Sequence, residues 1–248
     1  IIDEYKQLSL VRLIGEIAGN ISILYAAELL ALSNGLMLGG ITGVRPTEVV
    51  ILGAGIVGEF ATKAALGLGA SVKVFDNSLS KLRRLHMMVD GRVPTSIIDP
   101  KELSKSLKRA DVVIGALSKI SLCPIVTEEM VSKMKKGSVI IDVTIDNGKV
   151  IETSELTDME HPYIIKHGVI HCGLPNLTSK MPRTTTKAVS NFFLSYLLNY
   201  DEEGGFENML IRKNEMKQSL YMYKGRHTKK LICDRFDLTY HDINLLIF

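Results

Sequence analysis

Apolar and polar positions follow two different rhythms along this chain, and the switches between them mark its elements. Over residues 11–33, Leu13, Ile14, Ile17, Ile21, Leu24, Tyr25, Leu29 and Leu30 recur at steps of three and four, which predicts one long amphipathic helix ended by Asn34-Gly35. After a loop with Gly39-Gly40 and Pro46, the continuous apolar run Glu48-Val49-Val50-Ile51-Leu52 reads as a strand covered on both faces. Helical spacing returns over 57–68, closed by Gly67 and Gly69, and 71–75 is a second apolar strand.

The alternation then continues. It predicts a helix capped by Ser78 and running to about Met88, an extended stretch over 92–98, a charged helix over 101–109 and a buried strand over 111–114. Thr127-Glu128-Glu129-Met130 opens a helix with an acidic first turn, Gly137 closes it, and 138–143 is a further strand. Parallel strands need a crossover, and a helix supplies it, so the fold class is α/β, a Rossmann-type doubly wound parallel sheet. Beyond Asn147-Gly148 short strands over 163–165 and 169–172 flank Gly168, and a helix over 188–198 follows Thr184-Thr185-Thr186. The polar tail after Asp201, about 45 residues, is near the lower size limit for folding alone and is expected to pack on something else. No internal repeat is present.

The richest chemistry lies at the first strand-to-helix turn. Gly53-Ala54-Gly55-Ile56-Val57-Gly58 matches the dinucleotide-binding pattern G-x-G-x-x-G, in which the glycines serve a tight turn, close approach of a diphosphate and close helix packing. Asp76 ends the second strand 18 residues after Gly58, near the offset of about 20 at which a carboxylate meets the adenine ribose. A carboxylate there repels a 2′-phosphate, so NAD is favoured over NADP, and Arg83 and Arg84 read as solvated surface. The plainer reading is a strand-to-helix turn with a capping Asp76; four concordant features favour the cofactor.

At the ends of the later strands, where such a sheet binds ligands, stand Ser118, Asp146, Asn147 and Asn176. On pattern alone Asp146-Asn147-Gly148 is turn chemistry. His171 is equally an acid/base near neutral pH or a hydrogen-bonded core residue. The remaining histidines lack ligand spacing, and no metal site is expected.

Composition narrows the class. Of 248 residues 46% are hydrophobic and 23% charged, which excludes wholesale disorder, and a net charge of +3 spread along the chain asks for no nucleic acid. Three separated cysteines, Cys123, Cys172 and Cys233, suggest reduced thiols in a cytoplasmic protein. The longest apolar stretch, 21–32, is interrupted by Glu28 and falls short of the roughly 20 residues of a bilayer span, so no membrane segment is expected. A start at Ile1-Ile2-Asp3 without methionine suggests processing or the later part of a longer protein.

Together, Gly15-Glu16-Ile17-Ala18-Gly19, Leu38-Gly39-Gly40-Ile41-Thr42-Gly43-Val44, the Gly53 turn, Ala65-Leu66-Gly67-Leu68-Gly69-Ala70, Val126-Thr127-Glu128-Glu129-Met130 and Pro182-Arg183-Thr184 resemble the alanine dehydrogenase family. The NAD-binding subunit of nicotinamide nucleotide transhydrogenase shares much of this. The resemblance implies a nucleotide domain inserted into a substrate domain, with 1–33 as linker helix and end of the substrate domain, 34–180 as the NAD-binding domain and 181–248 as the return. It implies oxidation of L-alanine to pyruvate and ammonia with NAD, and a homo-oligomer. Carried over by position, Gly53, Ala54, Gly55, Ile56, Val57, Gly58, Asp76, Asn77, Ala116, Leu117 and Ile145 hold the cofactor, Asp146 lies beside the nicotinamide ribose and reacting carbon, and Asn176 borders the substrate pocket.

The chain departs from the family at several points. The lysine, arginine and histidine that grip the substrate in the family belong to an N-terminal region without counterpart here, so activity of this chain alone is not expected. The segment 118–124 is short, Gly15 stands in place of a serine, and Asn147-Gly148-Lys149 replaces Gln-Gly-Gly. A non-catalytic dinucleotide-binding module is the rival expectation; a transhydrogenase component would need a membrane partner that nothing in the sequence requests.

Overall fold

A computed structural model describes residues 9–117, 124–148, 150–198, 200 and 204–247. Packing divides the chain into a larger unit, Ile14–Pro182, and a smaller one formed by Ile1–Leu13 with Arg183–Phe248.

The larger unit alternates helix and strand: α1 (Ser9–Asn34), β1 (Glu48–Leu52), α2 (Ile56–Gly67), β2 (Ser71–Phe75), α3 (Leu79–Met88), β3 (Thr95–Ser96), α4 (Pro100–Leu107), β4 (Val112–Gly115), α5 (Glu128–Ser132), β5 (Val139–Asp142), β6 (Ile164–Lys166) and β7 (Val169–Cys172). The strands form one sheet in the order β3-β2-β1-β4-β5-β7-β6, parallel throughout except for β6, which runs antiparallel to β7. The chain starts mid-sheet, winds to one edge and returns to wind the other way, so β1 and β4 are neighbours at the switch point, the crevice where such sheets bind ligands. This is the α/β Rossmann-like architecture that the alternating pattern predicts.

The apolar runs become strands because both faces are covered. Successive side chains point to opposite sides. Val49, Ile51, Val112, Ile114, Val139 and Ile141 meet Ile23, Ala26 and Leu30 of α1 with Ala61 and Ala65 of α2. Val50, Leu52, Phe75, Val113 and Ile140 meet Leu103 and Leu107 of α4 and Val131 of α5. Each such large apolar side chain, fully buried, contributes about 1.5–3 kcal/mol. The helix starts are written locally. Ser78 Oγ accepts from Lys81 N at 3.4 Å, Thr127 Oγ1 from Met130 N at 3.3 Å, and Asp99 Oδ1 from Lys101 N and Glu102 N at 3.1 and 2.9 Å, with Pro100 opening α4.

Several expectations are corrected. The extended stretch over 92–98 pairs only at Thr95–Ser96, and the helix expected to reach Gly137 ends at Ser132. The helix expected from 188 begins at Pro182, whose fixed φ and missing N–H suit a first helical position. Leu10–Asn34 is, by length and composition, long and apolar enough to cross a membrane, because Gly, Ala and Ser extend the run beyond 21–32; half of its most apolar stretch is buried inside the protein. From Ile14 onward α1 belongs to the larger unit, since Ile21, Ile23, Ala26, Leu29 and Leu30 are core residues. It crosses α2 so closely that a Cβ on Gly19 would collide with the Val57 carbonyl.

The smaller unit contains α6 (Pro182–Leu198, from Arg183 onward), α7 (Phe206–Arg212), α8 (Asn214–Ser219), the hairpin β8 (Met222–Tyr223) and β9 (Arg226–His227), and α9 (Lys230–Phe236). Leu210, Tyr223 and Ile243 form a small core with Met216, Leu220 and Leu246 against it. The aromatic run is therefore split: Tyr223 is buried and donates to Glu207 Oε1 at 2.9 Å, while Tyr221 and Phe236 are exposed.

Candidate nucleotide-binding site

The site is built at the carboxyl ends of β2, β1, β4 and β5. Past Leu52 the chain turns on Gly53, whose φ of +116° suits glycine and whose N–H donates to the Phe75 carbonyl at 2.7 Å. Gly58, in the first turn of α2, lies under that turn so closely that a Cβ would collide with the Gly53 carbonyl. Gly55 is the N-cap of α2; among the described residues no side chain caps this helix, and beyond its chain neighbours none has an atom within 4 Å of where a Gly55 Cβ would be. The start of α2 is thus open around Gly55, and a helix start without a side-chain cap, with its spare first-turn amides and positive dipole end, suits a phosphate. Ala54 and Gly58 are buried, and Gly55, Ile56 and Val57 are half-buried around this cradle.

Asp76 follows β2 and is 4% exposed. Its Oδ2 accepts from Ala54 N and its Oδ1 from Ser78 N, both at 2.8 Å, so the carboxylate ties the glycine turn to the start of α3. Each oxygen keeps a further lone pair for a sugar hydroxyl. Asn77 is exposed and its Oδ1 accepts from Ile98 N at 3.3 Å. Arg84 is more than the solvated surface residue expected: its Nη2 lies 3.5 Å from the Ala54 carbonyl and 3.8 Å from Glu59 Oε2. Glu59, buried in the first turn of α2, is also bridged by Lys63 at 2.8 Å. The sequence pattern gave no hint of this buried acid beside the cradle.

At the end of β4, Ala116 and Leu117 are buried, and Ala116 N donates to Leu52 O at 2.7 Å. Ser118 and Cys123 lie outside the described residues. Beyond β5, Ile145 is buried, and Asp146 is exposed in a single 3-10 turn, Ile145–Asn147. Asn176 is exposed with a left-handed φ of 53°, at the start of a second 3-10 turn, Leu177–Lys180. The turns at 145 and 176 follow β5 and β7, which are neighbours in the sheet.

His171 resolves as a core residue. Nδ1 lies 3.0 Å from the Val169 carbonyl and so donates to it; Nε2, 2.8 Å from Thr153 Oγ1, then accepts, and burial lowers the imidazole pKa. Burial likewise pushes the Cys172 thiol up to about 11, leaving it inert. Among the described residues no group of three or more His, Cys, Asp or Glu could hold a metal ion.

The residue that sequence reasoning missed is Asp142, which closes β5 and is 1% exposed. Desolvation pushes its carboxyl up to about 6, opposed by hydrogen bonds from Thr144 and by the nearby Ser154 hydroxyl, with Asp146 raising it further. The signal available was a lone acid ending a run of β-branched residues, Val139-Ile140-Ile141-Asp142. A hollow of 270 Å³ lined by Glu48, Ser71, Lys73, Glu102 and Arg109 lies at the opposite, amino ends of the strands. The ion pairs Lys73–Glu102 at 2.5 Å and Arg109–Glu48 at 2.9 Å span it, and ligands of doubly wound sheets bind at the other end.

Fold and cradle together define a dinucleotide-binding domain of the Rossmann type. Residues 22–230 match the family model "Alanine dehydrogenase/PNT, C-terminal domain", and the chain belongs to that family, whose cofactor is NAD. It is 37% identical to alanine dehydrogenase 2 of Staphylococcus aureus (strain USA300), over 96% of this chain and 65% of that protein. A solved L-alanine dehydrogenase superposes with a TM-score of 0.86 at 32% identity, covering 95% of this chain and 66% of that one. A transhydrogenase from Sinorhizobium meliloti, at 22% identity and a TM-score of 0.62, shares the fold. The chain spans about two thirds of the length of the curated relatives it matches.

Proposed function

We propose that this chain is the cofactor-holding part of an NAD-dependent oxidoreductase of the alanine dehydrogenase type, which interconverts L-alanine and pyruvate, and that it binds NAD without turning over alanine alone. The observation that carries this is the uncapped, open start of α2 at Gly55, with Asp76 bracing the turn before it. The turn 53–58 holds the diphosphate through main-chain amides. Asp76 and Asn77 take the adenosine ribose, and Ala116, Leu117 and Ile145 wall the nicotinamide end. Bound NAD supplies the hydride acceptor. Asp146, exposed on its turn, is the catalytic candidate: it orders water and substrate beside the reacting carbon, an orientation effect that can supply several kcal/mol. Asn176 borders the substrate. The proposal carries with it a homo-oligomer in the cytoplasm, the former checked by sedimentation.

Calorimetric titration of the 248-residue chain with NAD tests the cofactor half. Micromolar binding that disappears in Asp76→Ala is the expected result; no heat from the parent chain would favour a non-catalytic module. A steady-state assay with L-alanine and NAD tests the other half, and robust NADH production would overturn it.

A further inference from the structure

The least accounted-for group in the larger unit is the carboxyl of Asp142. It pairs in register with Gly115, the last residue of β4, and the absent side chain there makes its room: a Cβ on Gly115 would lie 3.0 Å from Asp142 Oδ1. Val143 N donates to the Gly115 carbonyl at 2.9 Å, which fixes the acid where β4 and β5 end together, next to the switch between β1 and β4. Oδ1 accepts from Thr144 N at 3.1 Å and from Thr144 Oγ1 at 3.2 Å, so the carboxyl anchors the first residue of the turn that carries Ile145 and Asp146. Oδ2 is different. It and the Ser154 hydroxyl directed at it are both buried, and neither completes a hydrogen bond.

Among the described residues, the charged and titratable groups acting on this carboxyl provide no compensation. From its own strand and turn the carboxyl is faced by Asp146, a like charge. From β7 it is faced by the Cys172 thiol, which burial keeps neutral, and Lys180 acts on that thiol. From the segment before β6 the described group acting on it is the neutral Ser154, and on β4 it is paired with Gly115. A buried carboxylate normally has a cation or a full set of donors; among the described groups acting on this one there is no cation.

We propose that Asp142 is a positioning residue for the redox end of the cofactor, whose buried charge favours the oxidised, cationic nicotinamide ring over the reduced, neutral one. This rests on the NAD reading above. A cationic ring entering the crevice at the ends of β4 and β5 is the missing counter-charge. By linkage, whatever binds the ionised acid better is bound less well once the acid is protonated. Burial places that protonation near pH 6. The preference for NAD⁺ over NADH is therefore full at pH 8 and fades as pH falls through 6.

The test is the ratio of NADH to NAD⁺ dissociation constants, measured by calorimetry on the full chain between pH 5.5 and 8. One partly screened charge pair inside a protein predicts a fall of roughly tenfold across this range. In Asp142→Asn the ratio is expected to stay flat at the low-pH value. Ser154→Ala, which removes the nearby hydroxyl dipole that favours the ionised form, is expected to move the midpoint to higher pH, and it decides the matter even where Asp142→Asn fails to fold. A flat ratio in the parent chain, an unchanged slope in Asp142→Asn or an unmoved midpoint in Ser154→Ala overturns the inference while leaving the cofactor reading intact. Binding of neither form at any pH overturns both.

Discussion

Asp76 after β2 and Asp142 at the end of β5 are both buried aspartates on one sheet edge, yet their surroundings treat them in opposite ways. Asp76 has each oxygen met by a backbone N–H at 2.8 Å, and these bonds hold the glycine turn in shape before any ligand arrives. Asp142 has one oxygen held by Thr144 and the other without a partner. The contrast separates two ways of building a cofactor site. In the cofactor reading proposed above, the phosphate end is preorganised by main-chain donors already bound to Asp76, whereas the ring end would keep at Asp142 a charge that responds to what enters.

The strongest way to break the comparison is Asp76→Ala. It strands two amides that had charge-assisted hydrogen bonds, at about 2 kcal/mol each, so stability is expected to fall by about 4 kcal/mol in urea unfolding, together with loss of NAD binding. If stability barely changes, the turn is not held by this acid. Gly58→Ala comes next, with a loss of about 3 kcal/mol, because the new methyl group must displace the Gly53 carbonyl, and NAD titration should then show no heat. A variant that binds NAD like the parent would show that the turn can relax.

Asp142 contributes through pH, with the sign opposite to that of an ordinary paired acid. Its folded value, about 6, lies above the 3.8 of an ordinary aspartate, so between those limits the folded chain holds the proton more tightly than the unfolded chain. The penalty is absent below about pH 4 and complete above pH 6, up to about 3 kcal/mol. Asp142→Asn should accordingly gain stability relative to the parent as pH rises from 4 to 7.5. His171, whose lowered pKa costs stability as pH falls below its unfolded value, acts in both proteins and cancels in the difference. The smallest effect belongs to Arg84→Ala. A long contact of 3.8 Å from a half-exposed arginine to Glu59, which Lys63 still bridges, is worth under about 1 kcal/mol, and NAD affinity should weaken by a few-fold at low salt only.

How far the sequence disclosed all this depends on range. β1, β4 and β5 are legible because a strand covered on both faces is apolar along nearly its whole length, β2 because Val72, Val74 and Phe75 supply enough β-forming apolar positions around Lys73, and the glycine turn because its spacing encodes its own geometry. The stretches 92–98 and 127–137 were read too long, since periodicity marks where an element can run and hydrogen bonding decides where it stops. The start of α6 lies at Pro182, whose fixed φ suits a first helical position, ahead of the three threonines that the capping pattern points to. His171 could not be settled without Thr153, a partner 18 residues away. Asp142 was missed because its burial depends on Gly115 of the neighbouring strand, and nothing in Val139-Ile140-Ile141-Asp142 announces that neighbour.

The outermost strands, β3 and β6, are only 2 and 3 residues long. An intruding chain that tried to extend the sheet by backbone pairing would find one or two rungs at either border, too few to template a growing stack. The nucleotide fold is thus guarded against fibril formation by its own abbreviated margins, a safeguard that Pro94 before β3 strengthens by withholding an N–H.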